Sequence, residues 1–209
     1  MQHEKLIRRG AEAEILLSDY MGRPVVLKRR VRKSYRTEEI DFRLRSYRTR
    51  DEAKLLHEAR RAGVNVPVIY DVDVQNGQIT MEYVEGKRVK DALHSMARAE
   101  MEALCMEVGR SVARLHNANL IHGDLTTSNM ILSDGKVVFI DFGLGAKTES
   151  VEDRGVDLHV LMEAFESTHS ERPDCFENAW RGYEDICWHG AAAVRQKIDD
   201  IIRRGRYRS

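Results

Sequence analysis

Apolar and polar positions alternate strand-like early in the chain and take up a helical period later. "EAEILLSDYMGRPVVLKRRV" carries two apolar, β-branched runs joined at Met21-Gly22, the pattern of a hairpin. "RTRDEAKLLHEARRAG" predicts a helix with Ala53, Leu55, Leu56 and Ala59 on or near one face and Gly63 as its stop. "VPVIYDVDV" and "QITMEYVEG" read as two further strands split by Asn76-Gly77, a strong turn signal. After Gly86 the apolar residues Met101, Leu104, Cys105, Val108, Val112 and Leu115 recur as the stripe of an amphipathic helix. "MILSDGKVVFID" returns to strands turning at Asp134-Gly135. Beyond Asp153 the period is helical again, through Leu158, Leu161, Met162 and Phe165, then Phe176, Ala179, Trp180 and Tyr183. The expectation is an α+β protein: a β-rich N-lobe with one main helix over residues 1–85, a helical C-lobe over 86–202 and a basic tail over 203–209. Tyr83 to Asp91 is the expected connection.

Composition refines this picture only in places. The chain has 209 residues, 42% hydrophobic and 33% charged, a globular mix that leaves no room for long disordered tracts. Cys105, Cys175 and Cys187 are an odd number without a CxxC pair, which argues against a disulfide framework. No apolar run is long enough for a membrane span, so the expectation is a cytoplasmic protein with no membrane association. The histidines show no H-x3-H pairing, and no zinc or iron site is expected. Lys plus Arg equals Asp plus Glu at 34 each, yet Lys28 to Arg50 holds Lys28, Arg29, Arg30, Arg32, Lys33, Arg36, Arg43, Arg45, Arg48 and Arg50 against Glu38, Glu39 and Asp41. With Tyr35 and Tyr47 interleaved, this stretch suits RNA phosphates and a stacked base, the alternative being a solvated surface strip. The end "RRGRYRS" is a second basic segment, with Gly205 expected to break the helix.

Candidate chemistry concentrates in "IHGDLTTSNMIL" and "FIDFG". The first lies on a loop between a helix and a hairpin. Between Asn129 and Asp141 there is room for two short strands that bring the chain back to its start. An amide oxygen and a carboxylate at the mouth of such a ribbon suit magnesium, which takes oxygen ligands and is held by few protein groups plus phosphates. Asp124 is then placed to orient a hydroxyl or water, the division of labour phosphoryl transfer needs. The plainer alternative is a polar turn whose Asp and Asn bond their own backbone. H-G-D-x4-N, then I-D-F-G, downstream of V-V-L-K, favour the phosphate site. His122 is expected to pack beneath the loop and bond a backbone carbonyl.

These motifs resemble the protein-kinase superfamily, and the resemblance implies a bilobal kinase-like fold. It makes Lys28 of "VVLK" the lysine that contacts the α- and β-phosphates, and Glu52 the helix partner that holds it, with Glu58, Glu38 and Glu39 nearby. Gly10 and Ala11 stand where a glycine-rich loop covers the nucleotide, and Met81, Glu82 and Val84 where the adenine is held; a plain strand explains the last three equally well. The pattern also departs from ordinary kinases. Gly123 replaces an arginine and Thr126 a lysine, and the short stretch from Asp141 to Asp153 leaves no room for a conventional activation segment. "GAEAEI", "HGDLTTSNMIL", "IDFGLG", "EDRGVDLHVLMEAFESTH" and "RRGRYRS" together resemble the minimal kinase-like subunit of the KEOPS complex, of archaeal type, over essentially the whole chain. That resemblance implies ATP and Mg2+ as cofactors, atypical Ser/Thr kinase and ATPase activity, and support of threonylcarbamoyl-adenosine formation in tRNA. It also implies as partners the catalytic threonylcarbamoyl-transferase subunit, other KEOPS subunits, and tRNA through segments 28–50 and 203–209. Asp157 is a candidate anchor of the catalytic loop, or simply an acid near a helix start. A small-molecule phosphotransferase of the aminoglycoside or choline type, and a non-catalytic kinase-shaped scaffold, are the alternatives.

Overall fold

The computed structural model describes residues 4–187 and 190–206, with the backbone alone at 205 and 206. The chain divides into two compact units, Met1–His57 with Pro67–Val84 and Glu58–Val66 with Glu85–Ser209.

The first unit is built on an antiparallel sheet of β1 (Lys5–Arg9), β2 (Ala13–Tyr20), β3 (Arg23–Arg30), β4 (Ile69–Asp73) and β5 (Gln78–Glu82), in the order β1-β2-β3-β5-β4. Met21-Gly22 forms the tight turn between β2 and β3, both residues with positive φ. Alternation along β3 decides what each face carries. Val25 and Leu27 join Leu16, Tyr20 and Tyr70 in the core cluster, and Lys28 and Arg30 point to the other side. β1 escapes the hydrophobic pattern because it is an edge strand exposed at all five positions.

Helix α1 (Glu38–Arg61) starts well before the stretch in which its apolar face is legible. Its opening turns hold few buried apolar residues; Ile40 and Phe42 are exposed. What begins the helix is charge. Glu38, Glu39 and Asp41 sit at the positive end of its dipole, and fully buried Asp41 accepts from the Lys33 amide at 3.1 Å and from Arg45 Nε at 2.7 Å. Beyond its last turn, which counts with the second unit, Gly63 takes a positive φ and the Val64 amide reaches back to the Ala59 carbonyl at 3.1 Å.

The second unit contains β6 (Lys87–Arg88), α2 (Val89–Leu93), α3 (Arg98–Asn117), β7 (Leu120–Ile121), a 3-10 turn at Thr127–Asn129, β8 (Met130–Ser133), β9 (Lys136–Phe139), β10 (Ala146–Lys147), α4 (Val151–Thr168), α5 (Cys175–Ile186) and α6 (Ala191–Arg206). The strands form a β6-β8-β9 sheet and a β7-β10 pair. All six residues of the predicted α3 stripe are buried. α3 and α5 cross at two glycines: a Cβ on Gly109 would lie 1.7 Å from the Ala179 carbonyl oxygen, and one on Gly182 would lie 1.9 Å from that of Met106. α6 runs through Gly205 to Arg206, so that glycine does not end the helix as its sequence suggests; Arg203 and Arg204 are helical, and residues 207–209 of the basic end lie outside the described residues. Among the described residues no helix is long and apolar enough to cross a membrane.

Candidate active site

In the first unit, the candidate phosphate lysine is buried on β3 with its Nζ 2.5 Å from Glu52 Oε1. Among the acids considered as its partner, Glu52 is one that it meets. A sequence reading of this pair misses the second cation: Arg30 Nη2 holds the other Glu52 oxygen at 2.7 Å. The signal is available in principle, because residues two apart on a strand share a face. Arg30 also lies 3.6 Å from Glu12, which takes a further hydrogen bond from Arg48 on α1. The Arg48 hydrogen bond holds the Glu12 carboxyl below the usual carboxylate range.

Lys28, Glu52, Arg30, Glu12 and Arg48 thus form one chain of alternating charge. It ties the turn that carries Gly10 and Ala11 to the strand and helix beneath. Lys33 Nζ donates to the Ala11 carbonyl, and the Gly10 amide closes the turn on Ala13 at 2.9 Å. Met81 is buried on β5, Glu82 accepts from and donates to Val68 (3.0 and 2.8 Å), and Val84 is half-buried at the end of the unit.

In the second unit, the loop after β7 is held from below by Asp157 of α4. Its two oxygens accept from the backbone amides of His122 and Gly123, each at 2.9 Å, and Oδ2 lies 3.3 Å from His116 Nε2. His116 in turn meets the Tyr183 hydroxyl at 3.0 Å. Burial alone would raise the Asp157 carboxyl, but the His116 hydrogen bond and charge, with the His122 amide, hold it below its ordinary value. Tyr183 is pushed up, first by burial.

His122 is fully buried and packs on Phe142 with ring centroids 4.5 Å apart. Its Nε2–H donates to the Ile140 carbonyl at 3.1 Å, and its Nδ1 accepts from the Asp124 amide at 3.3 Å. That arrangement requires the neutral ring. Burial pushes the imidazole below its ordinary pKa, against the pull of Asp157, Asp141 and Asp124.

Gly123 occupies a backbone that no other residue suits. Its φ is +79°, and a Cβ there would lie 2.1 Å from the Leu144 carbonyl oxygen. The arginine of ordinary kinases is excluded because the chain after Asp141 presses directly on this loop, pairing β10 with β7 (Ala146 opposite Ile121).

The polar residues above are drawn together by the hairpin. Asn129 donates through Nδ2 to the Asp124 carbonyl at 3.0 Å and to its carboxylate at 2.7 Å. With both amide hydrogens spent, the remaining polar atom of Asn129 is the acceptor oxygen a hard cation needs. Its own carbonyl accepts from Ile140 at 2.9 Å, which sets Asp141 one residue further along. Asp141 has φ +67° and accepts from the Gly143 amide at 3.3 Å. A carboxamide oxygen and a carboxylate on adjoining backbone fit the all-oxygen preference of Mg2+.

Residues 21–171 match the RIO domain family. The chain is 48% identical to the KEOPS complex subunit Bud32 of Pyrococcus abyssi, over 98% of this chain and 96% of that one. It is 38% identical to the EKC/KEOPS complex subunit bud32 of Dictyostelium discoideum, over 96% of this chain and 82% of the relative. A probable bifunctional tRNA threonylcarbamoyladenosine biosynthesis protein of Methanothermobacter thermautotrophicus is 46% identical over 97% of this chain, which spans only 36% of that protein. Among solved structures, a streptomycin-ATP-APH(2")-IIa ternary complex aligns with a TM-score of 0.66 at 16% identity, covering 96% of this chain and 87% of that one; at that identity the likeness is one of fold.

Proposed function

Because the chain belongs to the RIO domain family and to the family of the KEOPS complex subunit Bud32, we propose that it is a phosphotransferase-type enzyme acting as an ATP- and Mg2+-dependent atypical Ser/Thr kinase and ATPase. Its setting in this reading is a cytoplasmic KEOPS-type complex that supports threonylcarbamoyl-adenosine formation in tRNA. The observation that carries the reading is the loop over Asp157, which holds Asp124 and Asn129 in mutual contact at 2.7 Å and directly beside the strand that delivers Asp141.

In this assignment Asp124 orients the attacking hydroxyl or water, and Asn129 and Asp141 supply the oxygens that hold magnesium. When bound there, the ion neutralises charge on the phosphates. Lys28, held by Glu52, contacts the α- and β-phosphates. Gly10 and Ala11 cover the nucleotide, and Met81, Glu82 and Val84 border the adenine. Asp157 is a positioning residue, since it reaches the chemistry only through the two amides it fixes.

Two features favour water, a partner's side chain or this chain itself as acceptor over a passing peptide. The stretch between Asp141 and α4 is used up in β10 and the Ser150 cap, whose hydroxyl accepts from Asp153. Thr126 also stands in place of a lysine, leaving one positive charge fewer. Phosphate release by the pure chain, then with the threonylcarbamoyl-transferase subunit, other KEOPS subunits and tRNA, tests the proposal. Magnesium-dependent turnover stimulated in the complex and lost in Asp141→Ala is expected; turnover and tRNA modification that survive in Asp141→Ala would refute it.

The proposed tRNA contact is narrower than segment 28–50 as a whole. Lys28 and Arg30 are interior, and Arg29, Arg32, Arg36, Arg45 and Arg48 pair with acids of the same unit. Arg43, Tyr47 and Arg50 are exposed on one helical face of α1, at i, i+4 and i+7. They are the residues we assign to a phosphate-and-base contact, with the tail from Arg203 as a second one.

A further inference from the structure

The second unit contains a cluster of metal-ligating side chains that phosphoryl transfer does not use. His94 follows α2, and His169 and Glu171 lie between α4 and α5. One donor atom from each lies within 4.8 Å of the other two. His94 Nδ1 is 2.9 Å from Glu171 Oε1, and the two imidazole rings have centroids 4.8 Å apart. Spacing alone does not reveal this, since His94 and Glu171 are 77 residues apart.

The decisive residue is His169. It is 0% exposed, yet neither its Nδ1 nor its Nε2 has a hydrogen-bond partner among the described residues. Buried polar groups are almost always satisfied, and one left open asks what satisfies it. Its backbone is firmly set: the His169 amide donates to Phe165 and its carbonyl accepts from Arg172, each at 2.8 Å. Arg172 directs its guanidinium to the carbonyls of Met96 at 2.9 Å and His94 at 3.4 Å. It thereby ties the two segments together at the point where the donors meet.

We infer that His94, His169 and Glu171 form a site for a divalent transition-metal ion of the zinc type. Two imidazoles and one carboxylate match the three-protein-ligand zinc set, with a water or another donor as the fourth ligand. Tetrahedral ligands ~2.1 Å from an ion stand about 3.4 Å apart, so binding opens the 2.9 Å His94–Glu171 pair slightly and brings both exposed groups closer to a fixed His169. Imidazole donors select against magnesium, so this site does not compete with Asn129 and Asp141 for their ion. A metal here fastens the end of α2, a helix packed on the Thr127–Asn129 turn, to the α4–α5 connection.

Calorimetric titration of the chelator-treated full chain with zinc chloride, in excess magnesium, tests the site. One equivalent of zinc is expected to bind, with a matching tetrahedral absorption spectrum when cobalt(II) replaces it. His94→Ala and Glu171→Gln alter exposed residues and leave the fold intact. Each should weaken binding at least about 100-fold, more than the loss of an outer-shell partner costs. His169→Gln should abolish it, and if that variant does not fold, the two surface variants decide the matter. Zinc, but not magnesium, should raise the melting temperature of the parent chain and not that of His94→Ala. Absence of zinc binding by the parent, or unchanged binding by both surface variants, overturns the inference; ATPase activity plays no part in either readout.

Discussion

At the scale of single residues, Glu52 and Asp157 do similar work by different means. Glu52 neutralises two buried cations, Lys28 at 2.5 Å and Arg30 at 2.7 Å. Removing it takes the buried carboxylate from both and leaves Arg30 its longer contact to Glu12 at 3.6 Å, so Glu52→Ala should lower unfolding free energy by roughly 3–5 kcal/mol as well as turnover. Lys28→Met leaves Glu52 paired with Arg30; it should cost clearly less stability while cutting ATP turnover about 100-fold or more. Urea denaturation beside a phosphate-release assay separates the two. If Lys28→Met is the less stable variant, Arg30 is not the second partner described. Asp157 accepts two backbone amides, and an Asn there would turn its NH2 toward one of them. Asp157→Asn should cost about 1–3 kcal/mol and reduce turnover. Because the folded Asp157 carboxyl is depressed, its contribution is fully present above the unfolded value near 3.9 and is lost as pH falls through the lower folded value. The acid limb of the stability curve should therefore be shallower in Asp157→Asn, and an unchanged limb would count against this linkage. Asp124, Asn129 and Asp141 could be proposed together from the sequence because their motif spacing is local, and Lys28 was added by the resemblance of V-V-L-K. Arg30, His116 and Tyr183 were not legible, because their relation to Glu52 and Asp157 exists only after strand and helices pack.

At the scale of elements, two close approaches set the geometry of the second unit. One is the α3–α5 crossing. Gly109→Ala would drive a methyl into the Ala179 carbonyl, so a loss of about 3 kcal/mol is expected, at the upper end of ordinary overpacking. The other is the contact of the chain after Asp141 with Gly123. Gly123→Ala combines a positive φ with a clash against Leu144, and should impair magnesium-dependent turnover more than it lowers the melting temperature. Equal effects on both would show a purely structural glycine. Amphipathic α3 and the hairpin at Asp134-Gly135 were readable because period and turn chemistry announce them. β1 and the first half of α1 were not: the strand is polar and exposed, and the helix start rests on buried Asp41 rather than on an apolar stripe.

At the scale of the whole molecule, partners follow from which charges remain exposed once internal pairs are formed. Arg43→Ala with Arg50→Ala should weaken tRNA binding and lower the slope of log K against log salt by about 1.5–2, one increment of ~0.7–0.9 for each lost phosphate contact. Arg29→Ala, which breaks a pair with Glu4, should change that slope little. An unaltered slope in the double variant would remove α1 from the tRNA surface and leave the tail as the candidate.

The sequence by itself determined the class of chemistry. The H-G-D-x4-N and I-D-F-G spacings, and the order of strand-rich and helix-rich segments, are local properties that survive in a one-dimensional reading. The tertiary structure decided which charges satisfy one another. It showed why position 123 tolerates only glycine, and it placed His94 beside His169 and Glu171, which are remote from it in the chain. Those outcomes depend on burial and on distances between segments far apart in sequence, and chain order carries no record of either until the core has formed.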